Sequence, residues 1–519
     1  MYDILFENAR VLDGTGAPWF LADVAVKDGF IVKVGSLKAP ATLKVDASGK
    51  YIAPGFIDAH SHSDQALVTN PTADSKIMQG VTLEVIGQCG SSAAPRDLTD
   101  SSRDEALGDD EPAKKWTDMA SYMEVLESNG VSLNVAPLVG HGTVRRQVMG
   151  VERRPPTPDE LSRMKALVHE AMKQGAFGMS TGLIYIPGTY AATAEVTELA
   201  KVVAENSGMY FTHMRNEGPR LLEALDETIS IGFEAGVPVQ ISHFKTMGQA
   251  NWGKVKEAIS KVEEARANGL DITADQYPYI ASSTGLSSTI GGGIWAEGHA
   301  KATERLADPG EKQKILADLS NRNNWDKLVI ASLENESDQR FIGKSVSEAA
   351  EMLDISPAEA AIGLLERNLG VVQIVNFAIS EEDVQTVMSV PWVMAGSDGS
   401  AFNAKTAKGQ PHPRSYGTFA RILGVYVREL GLLRLEDAVR KMTSLPAMRL
   451  GLQDRGIIRE GMRADLVLFD ADEVKDRATF IEPHQYAAGV EYVIVNGVPV
   501  VEKGVHNGNR PGMVLRHKA

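Results

Sequence analysis

Cysteine is nearly missing from this chain: Cys89 is the single one in 519 residues. One thiol excludes an intramolecular disulfide and suits a reducing compartment, so a cytoplasmic protein is expected. Long apolar runs are missing as well. No stretch approaches the roughly 20 residues that cross a bilayer. The start, Met1-Tyr2-Asp3-Ile4-Leu5-Phe6-Glu7, lacks the basic opening and cleavage site of a secretory signal. Positive charge is in deficit: 53 Lys and Arg face 68 Asp and Glu, a formal net charge of −15. That balance excludes a general nucleic-acid binder or a protein drawn to anionic membranes. It leaves room for a small anionic substrate, because a few local cations outweigh a global field. Oligomeric state is not legible.

What is present is ordinary globular material, 43% hydrophobic and 23% charged, in a length that calls for more than one unit. Residues 1–54 read as short strands and turns, with an Asp28-Gly29 turn signal. Residues 441–519 have the same texture, with a hairpin around Asn496-Gly497. Neither end is long enough for its own core; together they predict one small β-sandwich in which the two parts of the chain meet.

Between them, strand-like and helix-like segments alternate, the pattern of parallel strands with helical crossovers. Eight strand candidates fall at 51–58, 82–87, 133–139, 177–180, 209–213, 237–243, 272–277 and 392–397. Thr157-Pro158-Asp159-Glu160 is a capping box with proline in the first turn, and it opens an amphipathic run stopped by Gly175. Ser380-Glu381-Glu382-Asp383 opens another helix with its acids at the positive end. The α/β class and the strand count predict a (β/α)8, TIM-like barrel over residues 55–440. About 110 residues separate the seventh strand from the eighth, far more than a crossover needs. Residues 284–345 are therefore expected to form an inserted subdomain between strands 7 and 8, and the Gly/Ser/Thr-rich 282–293 to act as hinge or lid.

In such a barrel the C-terminal strand ends carry the chemistry. Strand 1 runs into His60-Ser61-His62, where alternation in an extended chain turns both rings to one side. Strand 2 ends at Cys89, strand 5 at His213, strand 6 at His243 and strand 8 at Asp398. Imidazole, thiolate and carboxylate at five strand ends are a zinc-ligand set. Cys89 can bridge one site held by His213 and His243 and a second held by His60 and His62. One tightly bound zinc and room for a weaker second follow. Asp398 is the natural general base.

These motifs resemble those of the amidohydrolase superfamily, and within it the N-acyl-D-amino-acid deacylases. The resemblance covers most of the chain. It rests on Pro54-Gly55-Phe56-Ile57-Asp58-Ala59-His60-Ser61-His62, Gly87-Gln88-Cys89-Gly90, Thr212-His213-Met214-Arg215, Ser242-His243-Phe244-Lys245, Asp275-Gln276-Tyr277-Pro278-Tyr279, Gly396-Ser397-Asp398-Gly399 and His412-Pro413-Arg414-Ser415. It implies the same barrel and sandwich, with a cysteine in the metal-bridging role that a carbamylated lysine fills in dihydroorotases and hydantoinases. That lysine would end strand 4, where this chain has Ser180.

The implied activity is zinc-dependent hydrolysis of N-acyl-D-amino acids to a carboxylate and a free D-amino acid. The substrate is a small amide carrying a carboxylate, which calls for cations and donors. Lys245, two residues beyond His243, matches a carboxylate holder of the family. Tyr277 matches a residue that binds the carboxylate or polarises the scissile carbonyl. Ser282 and Ser283 lie in a stretch the family uses for substrate, with no choice between them. Arg414 offers a bidentate partner for a carboxylate. His141 ends strand 3 in a supporting or structural place, and Glu84 is assigned no role. Cleavage of hydantoins, dipeptides or xenobiotic amides on the same metal site is the alternative reading, and a non-catalytic oligomeric scaffold the remote one. The preferred side chain and acyl group are not legible.

Overall fold

The computed structural model describes residues 1–96, 116–289, 294 and 299–518. Its first sheet has nine strands drawn from both chain ends. Tyr2–Val11 pairs with Phe20–Lys27 and with Ala41–Asp46, and Tyr51–Pro54 lies antiparallel to Leu466–Phe469. Alternating apolar residues, among them Ile4, Phe6, Val24, Val26, Leu466, Leu468 and Ile494, fill one core between these strands. The expectation of one β-domain from both ends follows from that alternation. Residues 512–517 depart from it. They leave the sheet and pack along barrel strand 3, where Val135 bridges Val514, and then reach the turn before strand 4, where the His517 amide donates to Gly175 O at 2.9 Å.

The barrel strands are Phe56–Asp58, Val81–Ile86, Asn134–Pro137 continued by Val139–Gly140, Gly178–Gly182, Met209–His213, Val239–Ile241, Ile272–Gln276 and Val393–Ala395. All neighbours are parallel. The Ala59 amide on Ala395 O (3.2 Å) and the Asp398 amide on His60 O (2.8 Å) close strand 8 onto strand 1. The expected first strand, 51–58, is in fact two. The chain breaks at Gly55, so Tyr51–Pro54 joins the terminal sheet and Phe56–Asp58 joins the barrel. A Cβ at Gly55 would lie 2.2 Å from Thr82 Oγ1, and only glycine lets strand 1 leave one sheet for the other there. Helix Pro158–Lys173 begins with the Thr157/Glu160 capping box and a first-turn proline, as its sequence dictates.

Between strands 7 and 8 a separate unit is inserted. Ser282–Gly285, Leu328–Leu333 and Val372–Asn376 form an antiparallel sheet, with the last of them in the middle. Its apolar core includes Leu286, Leu328, Phe341, Val346, Ile362, Leu365 and Ile374. The unit thus reaches beyond the expected end at residue 345, because helices Val346–Leu353 and Pro357–Arg367 bury their apolar faces in this core. Part of the hinge or lid stretch, 290–293, lies outside the described residues. Among the described residues, no helix is long and apolar enough to cross a membrane.

Candidate active site

The barrel's C-terminal rim gathers side chains that are hundreds of residues apart. Strand 1 ends at Asp58, yet Ser61 makes one further parallel bridge to Gly399, so His60 and His62 leave on the same side. Their ring centroids are 5.4 Å apart. Cys89 stands at the centre: its Sγ lies 3.4 Å from His60 Nε2, 3.6 Å from His213 Nδ1 and 3.4 Å from His243 Nε2. Asp398 Oδ1 approaches His62 Nε2 at 2.9 Å and His60 Nε2 at 3.5 Å. Six of the sequence-predicted residues therefore meet in one place.

Several backbones are held in unusual conformations to achieve this. Cys89, His243 and Asp398 all have positive φ, +53°, +37° and +51°. A non-glycine residue there costs on the order of 1–3 kcal/mol and persists only where its surroundings impose it. For Cys89 the imposition is visible. Ser180, expected at the end of strand 4 but in fact in its middle, accepts from the Gly90 amide at 3.0 Å and donates its hydroxyl to Gly87 O, so it clasps the turn that carries the thiol. The backbone of Gly182 supports the turn from below; a Cβ there would lie 2.1 Å from Cys89 O. Where related enzymes are expected to carry a lysine, this chain has the clasp for a cysteine.

The electrostatics favour a thiolate. Burial works to raise the Cys89 pKa, but His60 and His243 beside it pull it well below the ordinary thiol value. Burial likewise opposes an ionised Asp398, and Arg414, His243 and His62 outweigh it. Burial disfavours the His62 imidazolium, yet the Asp398 hydrogen bond and Cys89 push its pKa up to about 9. A thiolate and a carboxylate thus face imidazole nitrogens across short gaps. His60, Cys89, His243 and Asp398 each offer a ligand atom within 4.8 Å of the others. The ring nitrogens that face Cys89 are His60 Nε2 and His213 Nδ1, while the opposite, buried Nδ1 of His60 and Nε2 of His213 have no hydrogen-bond partner. The Nδ1 of His60 does lie 3.1 Å from Asp275 Oδ1, an ion-pair distance without hydrogen-bond alignment. One soft anionic sulfur, several imidazoles and one carboxylate are the donor set of a zinc centre, so these residues fit that ion.

Around the centre lie the groups expected to hold substrate. Lys245 Nζ is 2.8 Å from His243 Nδ1, and Arg414 Nη1 is 2.7 Å from Asp398 Oδ2. The Tyr277 ring sits between these two cations, 5.7 Å from Lys245 Nζ and 4.8 Å from Arg414 Cζ, and its buried hydroxyl has no partner. Of the two serines, Ser283 is tied in through its carbonyl, which Arg414 meets at 3.4 Å, while the buried Ser282 hydroxyl is unpartnered. A cavity of about 380 Å³ opens beside Cys89, walled by His62, Tyr185, Ile186 and Pro187 on one side and by Thr284 and Gln373 of the inserted unit on the other. His141 stands apart, bound at 2.9 Å to Glu195.

Sequence reasoning missed four supporting residues. Asp275 receives the His243 amide at 2.7 Å. Glu217 pairs with Lys245 at 2.6 Å. Asp58 and Lys76 form a buried ion pair at 2.8 Å beneath His60. Only Asp58 and Asp275 lie within motifs quoted for the resemblance; a carboxylate four residues after a strand-end histidine was the available hint for Glu217.

Comparison with known proteins gives a consistent neighbourhood. The Amidohydrolase family model matches residues 44–326 and 343–501. The chain is 37% identical to N-acyl-D-glutamate deacylase of Alcaligenes xylosoxydans xylosoxydans, covering 100% of this chain and 97% of that protein. It is 36% identical to D-aminoacylase of the same organism, covering 100% and 98%. The solved structure of N-acyl-D-glutamate deacylase from Bordetella bronchiseptica, complexed with zinc and a phosphonate mimic of the tetrahedral intermediate, superposes with a TM-score of 0.85 at 36% identity, covering 99% of both chains.

Proposed function

The chain belongs to the amidohydrolase family, and from that premise we propose that it is a zinc-dependent deacylase that hydrolyses the amide bond of N-acyl-D-amino acids. The carbonyl–nitrogen bond breaks, a water oxygen joins the acyl carbon, and a carboxylate and a free D-amino acid leave. The observation that carries this reading is Cys89 Sγ within 3.4–3.6 Å of three imidazoles that come from three different strand ends.

In this proposal Cys89, His213 and His243 would hold the tight zinc, and His60 and His62 with Cys89 would hold a second, weaker one. Zinc bound there supplies Lewis acidity toward the scissile carbonyl and the attacking water. Asp398 takes the proton of the attacking water and passes it to the leaving nitrogen; its 2.9 Å contact with His62 and its pairing with Arg414 fix the carboxylate for both transfers. Lys245 and Arg414 draw the substrate carboxylate, the Tyr277 hydroxyl meets the carbonyl oxygen as it gains charge, and Ser282 adds a donor. A free, functional thiol also favours a cytoplasmic home, and recovery of the protein from an extracellular fraction would contradict that part.

The test is a panel of N-acetyl D- and L-amino acids and hydantoins, run with added zinc and with chelator. The expected result is hydrolysis of D-configured open-chain substrates, lost on chelation and restored by zinc. Turnover of hydantoins alone, or activity indifferent to chelator, would refute it.

A further inference from the structure

We infer that Glu217 is a positioning residue that couples metal ligation by His243 to recognition of the substrate carboxylate by Lys245. The inference rests on the functional reading above for the roles of His213, His243 and Lys245. Its geometry is independent of that reading. Glu217 follows His213 by four residues and is buried, 7% exposed. Its Oε1 lies 2.6 Å from Lys245 Nζ and 2.9 Å from His243 Nδ1, and its Oε2 lies 3.6 Å from His213 Nε2. The nitrogens that face Cys89 are the opposite ones, His243 Nε2 and His213 Nδ1. One carboxylate therefore addresses the outward nitrogen of both imidazoles.

Proton accounting gives this arrangement two exclusive forms. A neutral imidazole that offers Nε2 to a metal carries its proton on Nδ1, and at His243 that nitrogen lies 2.9 Å from Glu217 Oε1, an ion-pair distance without hydrogen-bond alignment. Yet Lys245 Nζ also lies 2.8 Å from His243 Nδ1. An ammonium has three donors and no acceptor, so when it donates to Nδ1 the ring proton must sit on Nε2, facing the thiol. In that form Lys245 spends all three donors, on Glu217 Oε1, His243 Nδ1 and His243 O, the last at 3.1 Å. Ligation places the ring proton on Nδ1, beside Glu217 Oε1, and Lys245 loses that acceptor. The released N–H is then available to the substrate carboxylate, while Glu217 still anchors the ammonium. Metal binding thus primes the carboxylate holder, and the carboxylate in turn favours the metal-competent tautomer.

The experiment compares wild type, Glu217→Gln, Lys245→Met and the double variant. Zinc affinity is measured by competition with a chromophoric chelator, and KM and kcat with an N-acetyl-D-amino acid. A glutamine at 217 keeps the shape but must turn either a donor or a weaker acceptor toward the Lys245 ammonium and the nearby His243 Nδ1. It should weaken zinc by about tenfold or more and also raise KM. Lys245→Met should raise KM by roughly tenfold or more, yet bind zinc as tightly as wild type or tighter, since a rival for Nδ1 is gone. In the Lys245→Met background the KM effect of Glu217→Gln should shrink, because Glu217 reaches substrate only through Lys245. Unchanged zinc affinity in Glu217→Gln, or a tenfold loss in Lys245→Met, would overturn the coupling, and the second result decides alone if the glutamine variant does not fold. A wild type that binds no zinc would instead sink the functional reading, and this inference with it.

Discussion

Replacing Lys76 by methionine should cost more than any single ligand does. The ammonium is fully buried on the short helix Asp74–Ile77. It touches Asp58 Oδ2 at 2.8 Å, Glu84 Oε1 at 3.1 Å, Ser397 Oγ at 2.6 Å and Gly399 O at 3.2 Å. Burial works against it, but Asp58 and Glu84 outweigh burial and hold its pKa above the ordinary lysine value. Methionine fills similar volume, so the loss is electrostatic: two buried carboxylates share one cation, and removing one partner of a buried pair costs about 3–5 kcal/mol. The upper part of that range is expected at pH 7.5, read from urea unfolding midpoints. The loss should depend on pH in a definite direction. Burial already raises the Glu84 pKa despite Lys76 beside it. Without Lys76 that pKa rises further, so the folded state binds more protons than the unfolded one. Stability contributed this way is full below the unfolded glutamate value, roughly 4.3, and is lost as pH rises through the folded value. The variant should therefore approach wild type near pH 5 and fall behind toward neutrality, and Lys76→Met/Glu84→Gln should regain part of the deficit. A deficit under about 1 kcal/mol at pH 7.5, or one that does not shrink on acidification, would refute the argument.

Three further outcomes follow from the same geometry. Asp398→Ala should keep the tight zinc yet lose at least about 10²-fold in kcat, since the proton carrier is gone; stopped assays beside metal analysis check it, and near wild-type turnover would remove Asp398 from the mechanism. Cys89→Ala should lower the zinc-to-protein ratio measured by elemental analysis, because Cys89 Sγ is the atom common to the three imidazoles; an unchanged ratio would rule out ligation. Gly182→Ala sets a methyl 2.1 Å from Cys89 O, so the thiol turn must shift; a lower melting temperature together with a lower zinc content is expected, and wild-type values for both would show that the turn is not braced there.

Much of the barrel was legible because its strands alternate with amphipathic helices, and a capping box such as Thr157/Glu160 acts through neighbours three residues apart. The insertion was legible as an excess of length, but its extent was not. Val372–Asn376 belongs to it through pairing with strands about 45 and 90 residues upstream, and pairing partners that distant leave no local mark. The split at Gly55 was hidden for the same reason: 51–57 is one continuous run without a charged residue, and only the partners on either side divide it.

By itself the sequence determined which chemistry was affordable: imidazoles, one thiol and one carboxylate at strand ends, in a chain whose parallel strands bring all such ends to one rim. Tertiary structure alone decided how they are held. The left-handed backbones of Cys89, His243 and Asp398 exist because Ser180, Asp275 and the closure of strand 8 on strand 1 impose them. Glu217 and Lys76 gain their roles from atoms up to about 320 residues away. A carboxylate or an ammonium carries no meaning in the one-dimensional chain; its pKa, its partner and its proton are set by distance and burial, and those exist only once the chain has closed.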